Sequence, residues 1–269
     1  SGLVVNFGQR PFAYTPPTGY KSLCTQNLTD PTIADGSTAM DVLTWSGSSG
    51  NRSFSSLSLS PDLVWIKQRN QSYSVGHQIY DIVRGAGSLK QLDSSNTTAE
   101  GGGNSDQYGY LSSFDSAGFS VTSGSIGDDY VNKSGVTYVS WAWDAGTSTA
   151  TNTDGSITSN VRANQSAGFS IVTGSGNSGT VGHGLNAKPD LVIVKQRNGA
   201  VAWAVAHSGL GAMKDNIIYL NGTNANTTSS NFWGSSNFDS SVFPISSNIC
   251  TSGATFVAYC FTAVEGYSA

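Results

Sequence analysis

The chain has 269 residues, a formal net charge of −4 and 11% charged residues, less than half the ~25% of an average soluble domain. Ser and Thr number 67, beside 32 Gly and 20 Asn, yet aromatic residues reach 10% and apolar residues 38%. Thirteen dispersed basic residues are too few to coat nucleic acid, no apolar run approaches the ~20 residues of a membrane helix, and recurring Trp, Tyr, Phe, Val and Ile exclude disorder.

Taken in chain order, the elements read as β and repeat themselves. Pro61–Asn70 (PDLVWIKQRN) returns as Pro189–Asn198 (PDLVIVKQRN), eight identities in ten at an offset of 128. Each holds a short apolar run, Leu63–Ile66 and Leu191–Val194, suited to a strand buried on both faces. The stretch Val75–Leu92 and its counterpart Val205–Leu220 carry interrupting glycines, so a single helical turn followed by a strand is expected there. Ser112–Val121 matches Ser236–Ile245, and Gly135–Trp143 matches Gly253–Phe261. Phe119–Val121 and Phe169–Ile171 alternate apolar and polar residues, the period of a half-buried strand. The drifting offset with conserved order predicts an all-β chain of two tandem, duplicated antiparallel β-sandwich domains with an extended N-terminal strand. The expected divisions are an arm over 1–37, a first repeat over 38–146, a linker over 147–165 and a second repeat over 166–269.

Chemistry is sparse. Cys24, Cys250 and Cys260 have neither disulfide-framework nor zinc spacing, and buried packing explains them. If Cys250 pairs with Thr255 across a turn, Cys260 falls opposite Ile245, which disfavours a bridge. His77 and His207 occupy matching places after matching strands but lack matching carboxylate or His partners; His183 aligns with Ser55. Asp62/Asp190 and Asp115/Asp239 sit in turn-forming contexts, and Asp128 and Asp129 occur in the first repeat alone. No catalytic residue, cofactor or metal is therefore expected. Lys67 and Arg69 recur as Lys195 and Arg197, one face of a strand end, and read either as solvated stems or as a subunit or anion contact. Trp45, Tyr73, Trp203 and Trp233 lie outside the apparent core strands, whereas Trp141 and Trp143 lie within one, so the former four are the candidates for stacking on a sugar.

As a set, PDLVWIKQRN and PDLVIVKQRN, the pair FDSAGFSV and FDSSVFPI, and the ending TFVAYCFTAVEGYS resemble domains repeated in tail-fibre and other virion structural proteins of marine tailed bacteriophages. The opening VVNFGQRPF and YTPPTGY are similar to the last strand and exit of a SPRY-like, lectin-like β-sandwich. In that comparison the sandwich itself is missing, as expected of a processed, truncated or partial protein, and any ligand role of the SPRY-like part does not carry over. The resemblance implies a structural role without catalytic residues, in a virion or extracellular setting. It also leaves Leu3–Tyr14, with Val4, Val5, Phe7, Phe12 and Tyr14, as a strand in need of a partner. Addition to a neighbouring subunit's sheet is the expected solution. The expected partners are copies of the chain, as a trimer or a strand-exchanged filament, and, in the alternative reading of a host-surface adhesin, glycan. Nucleic acid and membrane insertion are not expected.

Overall fold

A computed structural model describes Thr18 and residues 33–70, 75–176, 178–229 and 232–268. Val4, Val5, Phe7, Phe12, Tyr14, Cys24 and Tyr73 therefore lie outside the described residues. The chain is all-β, built of antiparallel sheets, and the described residues hold one helical turn, α1 (Ser105–Tyr108), and several 3-10 turns.

Among the described residues, seven strands precede residue 146: β1 (Met40–Ser46), β2 (Arg52–Phe54), β3 (Leu63–Gln68), β4 (Gln78–Asp81), β5 (Tyr110–Asp115), β6 (Gly118–Thr122) and β7 (Thr137–Trp143). They form a four-stranded sheet ordered β1-β7-β3-β4 and a three-stranded sheet ordered β2-β6-β5. Between the sheets lies a core of Trp45, Phe54, Val64, Ile66, Leu111, Phe119 and Tyr138. Strand alternation accounts for this core. Tyr138, Ser140 and Ala142 of β7 are buried and the residues between them are not, as period-2 side chains require. Gly118 at the start of β6 lies so close to β2 that a Cβ there would stand 1.9 Å from the Phe54 carbonyl oxygen.

The second half repeats this plan. Its strands are β8 (Thr149–Asn152), β9 (Ser159–Asn164), β10 (Phe169–Ser175), β11 (Gly179–Gly182), β12 (Leu191–Gln196), β13 (Ala204–His207), β14 (Asn216–Tyr219), β15 (Thr227–Thr228), β16 (Val242–Ile245) and β17 (Thr255–Phe261). The order β10-β17-β12-β13 reproduces β1-β7-β3-β4, and the β11-β16 pair reproduces β2-β6. Two additions extend the second main sheet to eight strands: β14 and β15 beyond β13, and the hairpin β8-β9 beyond β10. The hydroxyl-rich segment expected as a linker is thus mostly strand, with Val172 of β10 facing Val161 of β9. The stretches with interrupting glycines resolve into a strand and a 3-10 turn after Val75, and into β13, two 3-10 turns and β14 after Val205.

The two main sheets pack on one another through a third core. Leu63, Ile79, Leu92 and Ala145 from the first half meet Phe169, Ile171, Ile193, Trp203, Val205, Val257 and Tyr259 from the second. Leu63–Ile66 and Leu191–Val194 are therefore apolar throughout for a definite reason. One face of each strand lines its own sandwich, and the other lines, wholly or in part, the seam between the sandwiches.

Two sequence-based correspondences change. β16 and β17 belong to different sheets, so Cys260 faces Ser170 and Val192, not Ile245; Cys250 and Cys260 are free and buried. His77 and His207 are not equivalent either. Leu63 pairs with Asp81, while Leu191 pairs with His207, so in strand register His207 corresponds to Asp81 and His77 to Trp203.

Candidate functional site

The shared PDLV…KQRN motif is a strand with a clamp at each end. At its start, Asp62 accepts from Ala145 N–H at 2.8 Å and Asp190 accepts from Ala263 N–H at 2.9 Å. At its end, Asn70 accepts from Thr137 N–H at 2.7 Å and Asn198 from Thr255 N–H at 3.2 Å. Both ends of β3 and β12 are thereby fastened to the neighbouring strand, β7 or β17. The duplicated carboxylates do structural work, as do Asp115 and Asp239. Asp115 accepts from the Ser113 and Ser120 hydroxyls, and Asp239 from Ser241 and Val242 N–H.

A polar network crosses the seam. Arg84, its side chain fully buried, donates from Nε to Asp81 at 2.5 Å and from Nη1 to Glu100 at 3.0 Å. It also reaches the Lys90 carbonyl and the Tyr259 hydroxyl. Tyr259 of the second half returns a 2.8 Å bond to Asp81. Burial would drive the guanidinium toward neutrality, but Asp81, Tyr259 and Glu100 more than offset it and hold Arg84 protonated. Glu100 binds Arg197 at 2.7 Å, and Arg162 approaches Asp62 at 2.9 Å. Burial nevertheless pushes the Asp62 carboxyl up to about 6, with Arg162 offsetting only part of the desolvation.

Lys195 is fully buried, which corrects the reading of this strand end as solvated. Its ammonium donates to the Thr97, Gly199 and Val201 carbonyls at 3.0, 3.1 and 2.7 Å, and burial lowers its pKa to about 8. Lys67, its counterpart, is half-buried and donates to the Val75 carbonyl, and Arg69 is exposed. The duplicated basic pair is thus a contact between repeats in one half and an open strand end in the other.

The three described indoles singled out for sugar stacking are buried. Trp45 stacks on Tyr138 at 5.2 Å, and its N–H donates to Val131. Trp203 lies in the seam with its N–H on the Asp93 carbonyl, and Trp233 lies in the second core with its N–H on Asn216. None presents a face to solvent. They lie outside the longest apolar runs yet close cores from strand ends and loops, with each indole N–H paired as burial demands.

The open aromatic surface is elsewhere. On the outer face of the first main sheet, Val42, Trp141, Trp65 and Ile79 are directly opposed across β1, β7, β3 and β4. Val42 is 47% exposed, Trp65, Val139 and Trp141 are half-buried, and Ile79 is in the seam. The Trp65 and Trp141 rings meet edge-on at 6.4 Å, and the Trp65 N–H donates to His77 Nδ1 at 2.7 Å. This hydrogen bond fixes His77 as the Nε2–H tautomer, and burial lowers its pKa. Parity within TYVSWAW marks Trp141 as outward-facing; strand membership alone did not settle its exposure.

Beside His77, whose backbone N–H donates to Asp93 at 3.1 Å, a polar cleft of about 670 Å³ is lined by Asp93, Asn96, Asn104, Tyr108, Asp129 and Tyr130, among others. Tyr108 and Tyr130 have ring centroids 5.4 Å apart. Asp93 is engaged by Ser95 and Asn96 as well as His77, so the cleft offers tyrosine rings and amide or hydroxyl groups more than free carboxylate. Among the described residues no group of three or more His, Cys, Asp or Glu is placed to hold a metal ion, and no helix is long and apolar enough to cross a membrane.

Residues 35–269 match a domain family described as a domain of unknown function, DUF7483, and the chain belongs to that family. No curated protein and no solved structure matches it.

Proposed function

We propose that this member of the DUF7483 family is a non-catalytic structural subunit of an extracellular or virion assembly, of the kind that builds a bacteriophage tail fibre or related filament. The observation that carries this reading is the seam. Two sandwiches of one plan are joined by a shared apolar core and by the Asp81–Arg84–Tyr259 and Glu100–Arg197 bonds. A connection of this kind makes a stiff spacer, whereas domains that must move share small polar interfaces. Low charge supports it further, because unpaired charges are costly to bury where subunits meet. The partners in this reading are copies of the chain, as a trimer or a filament. Electron microscopy of the purified chain at high concentration tests it: regular oligomers or filaments are expected, and dispersed single particles at every concentration would refute it.

Glycan binding is the second reading, and the cleft beside His77 favours it. Two tyrosine rings with Asn96 and Asn104 around one cavity suit a sugar, which needs an aromatic face and planar polar groups. A glycan array with wild-type protein and Tyr108→Ala distinguishes the readings. Binding that is lost in the variant supports an adhesin, and no binding at millimolar sensitivity removes it.

A further inference from the structure

We propose that the outer face of the first main sheet, centred on Val42, Trp141 and Trp65, is the surface through which a second copy of this chain docks. The inference rests on the reading of the chain as an assembly subunit and names the surface. In the second repeat the equivalent cross-strand row is Ile171, Tyr259, Ile193 and Val205, and all four are buried in the seam. In the first repeat only the Ile79 end of the row is buried to that degree, and Val42 is 47% exposed. The seam thus covers one sheet face completely and its counterpart over Ile79, Leu63 and Trp143, with Trp65 packed only in part against it. The uncovered part, Val42 and Trp141 with the open side of Trp65, is a direct continuation of the seam core.

The identity of the occupant follows from the same contact. The seam is a sheet face of this fold packed on another sheet face of this fold, so outer faces of this type are complementary to one another. A second copy presents such a face. Two copies meeting through the Val42–Trp141–Trp65 row form a self-complementary, isologous contact, a twofold junction that favours the filament over the trimer once a second contact extends it. Flanking residues suit it: Thr44 and Val139 are uncharged, and Lys67 stands at the margin with its ammonium on the Val75 carbonyl. The strand edge is a poorer docking element than the face. Within β1 Asp41 accepts the Val42 N–H at 2.8 Å, and Arg52 of β2 donates to the Ser46 carbonyl at 2.8 Å. A charged group thus occupies backbone at each end of the strand, a known defence against edge-to-edge pairing.

Sedimentation velocity of the full chain across a concentration series, with Val42→Asp, Thr44→Arg and the control Ile126→Asp, tests the proposal. Ile126 is 69% exposed and lies off this face. The wild type and Ile126→Asp are expected to associate, and Val42→Asp and Thr44→Arg to do so at least ~100-fold more weakly, with circular dichroism showing all four folded. If the wild type associates and both face variants do so equally well, the surface is wrong while the assembly role stands. If the wild type stays monomeric at about 100 μM, both fall. Should Val42→Asp fail to fold, Thr44→Arg alone decides, since Thr44 is exposed in β1.

Discussion

Replacing Arg84 by Met tests the seam at its most buried charge. The guanidinium spans Asp81, the Lys90 carbonyl, Glu100 and Tyr259, and the Arg84 and Asp81 side chains are both fully buried. Methionine fills much of the volume but leaves the Asp81 carboxylate with only the Arg84 N–H and Tyr259 O–H bonds. Removing one partner of a buried ion pair costs about 3–5 kcal/mol, chiefly through the charge left behind. In a chain of this size each kcal/mol lowers Tm by about 2–4 °C, so a fall of roughly 6–20 °C is expected. Urea and thermal unfolding followed by tryptophan fluorescence supply the measurement. Adding Asp81→Asn should recover most of the loss, since the orphaned charge is then gone. A cost below ~1 kcal/mol for Arg84→Met, or no recovery in the double variant, would refute the description of this network as desolvated and seam-closing.

Trp203→Ala and Trp233→Ala should each cost about 3–5 kcal/mol in chemical denaturation, whereas half-buried Trp141→Ala should cost less than ~2 kcal/mol; equal costs would contradict the assigned burial. Asp62 has a folded-state pKa of about 6, above its unfolded value of ~3.9. Its stabilising contribution is thus complete below pH ~4 and lost as pH rises through 6. Wild-type stability should carry a downward component over that window that Asp62→Asn lacks, and identical pH profiles would remove the assignment.

Much of the architecture was legible in the sequence because a duplicated strand leaves a duplicated pattern. PDLVWIKQRN and PDLVIVKQRN marked β3 and β12, and the Asp and Asn that end each motif perform the same backbone clamp in both halves. Side-chain environment was less legible because the two halves share a fold but not a neighbourhood. Lys67 and Lys195 are the same residue in the same motif, yet only Lys195 is fully buried, with the Thr97 carbonyl from the other repeat on its ammonium. Trp203 and Trp233 look like loop residues locally and are core residues only through contacts with distant segments. The β8-β9 hairpin was missed for a related reason. Its Thr, Ser and Asn residues suit an exposed edge strand but carry no apolar period, so composition alone reads them as linker.

The two repeats form one body across a shared core. Differential scanning calorimetry of the full chain, at a concentration where its association state is known, measures this directly. A single transition with van't Hoff enthalpy close to the calorimetric enthalpy is expected. Two separable transitions, each with about half the enthalpy, would show that the sandwiches unfold independently and that the seam does not join them.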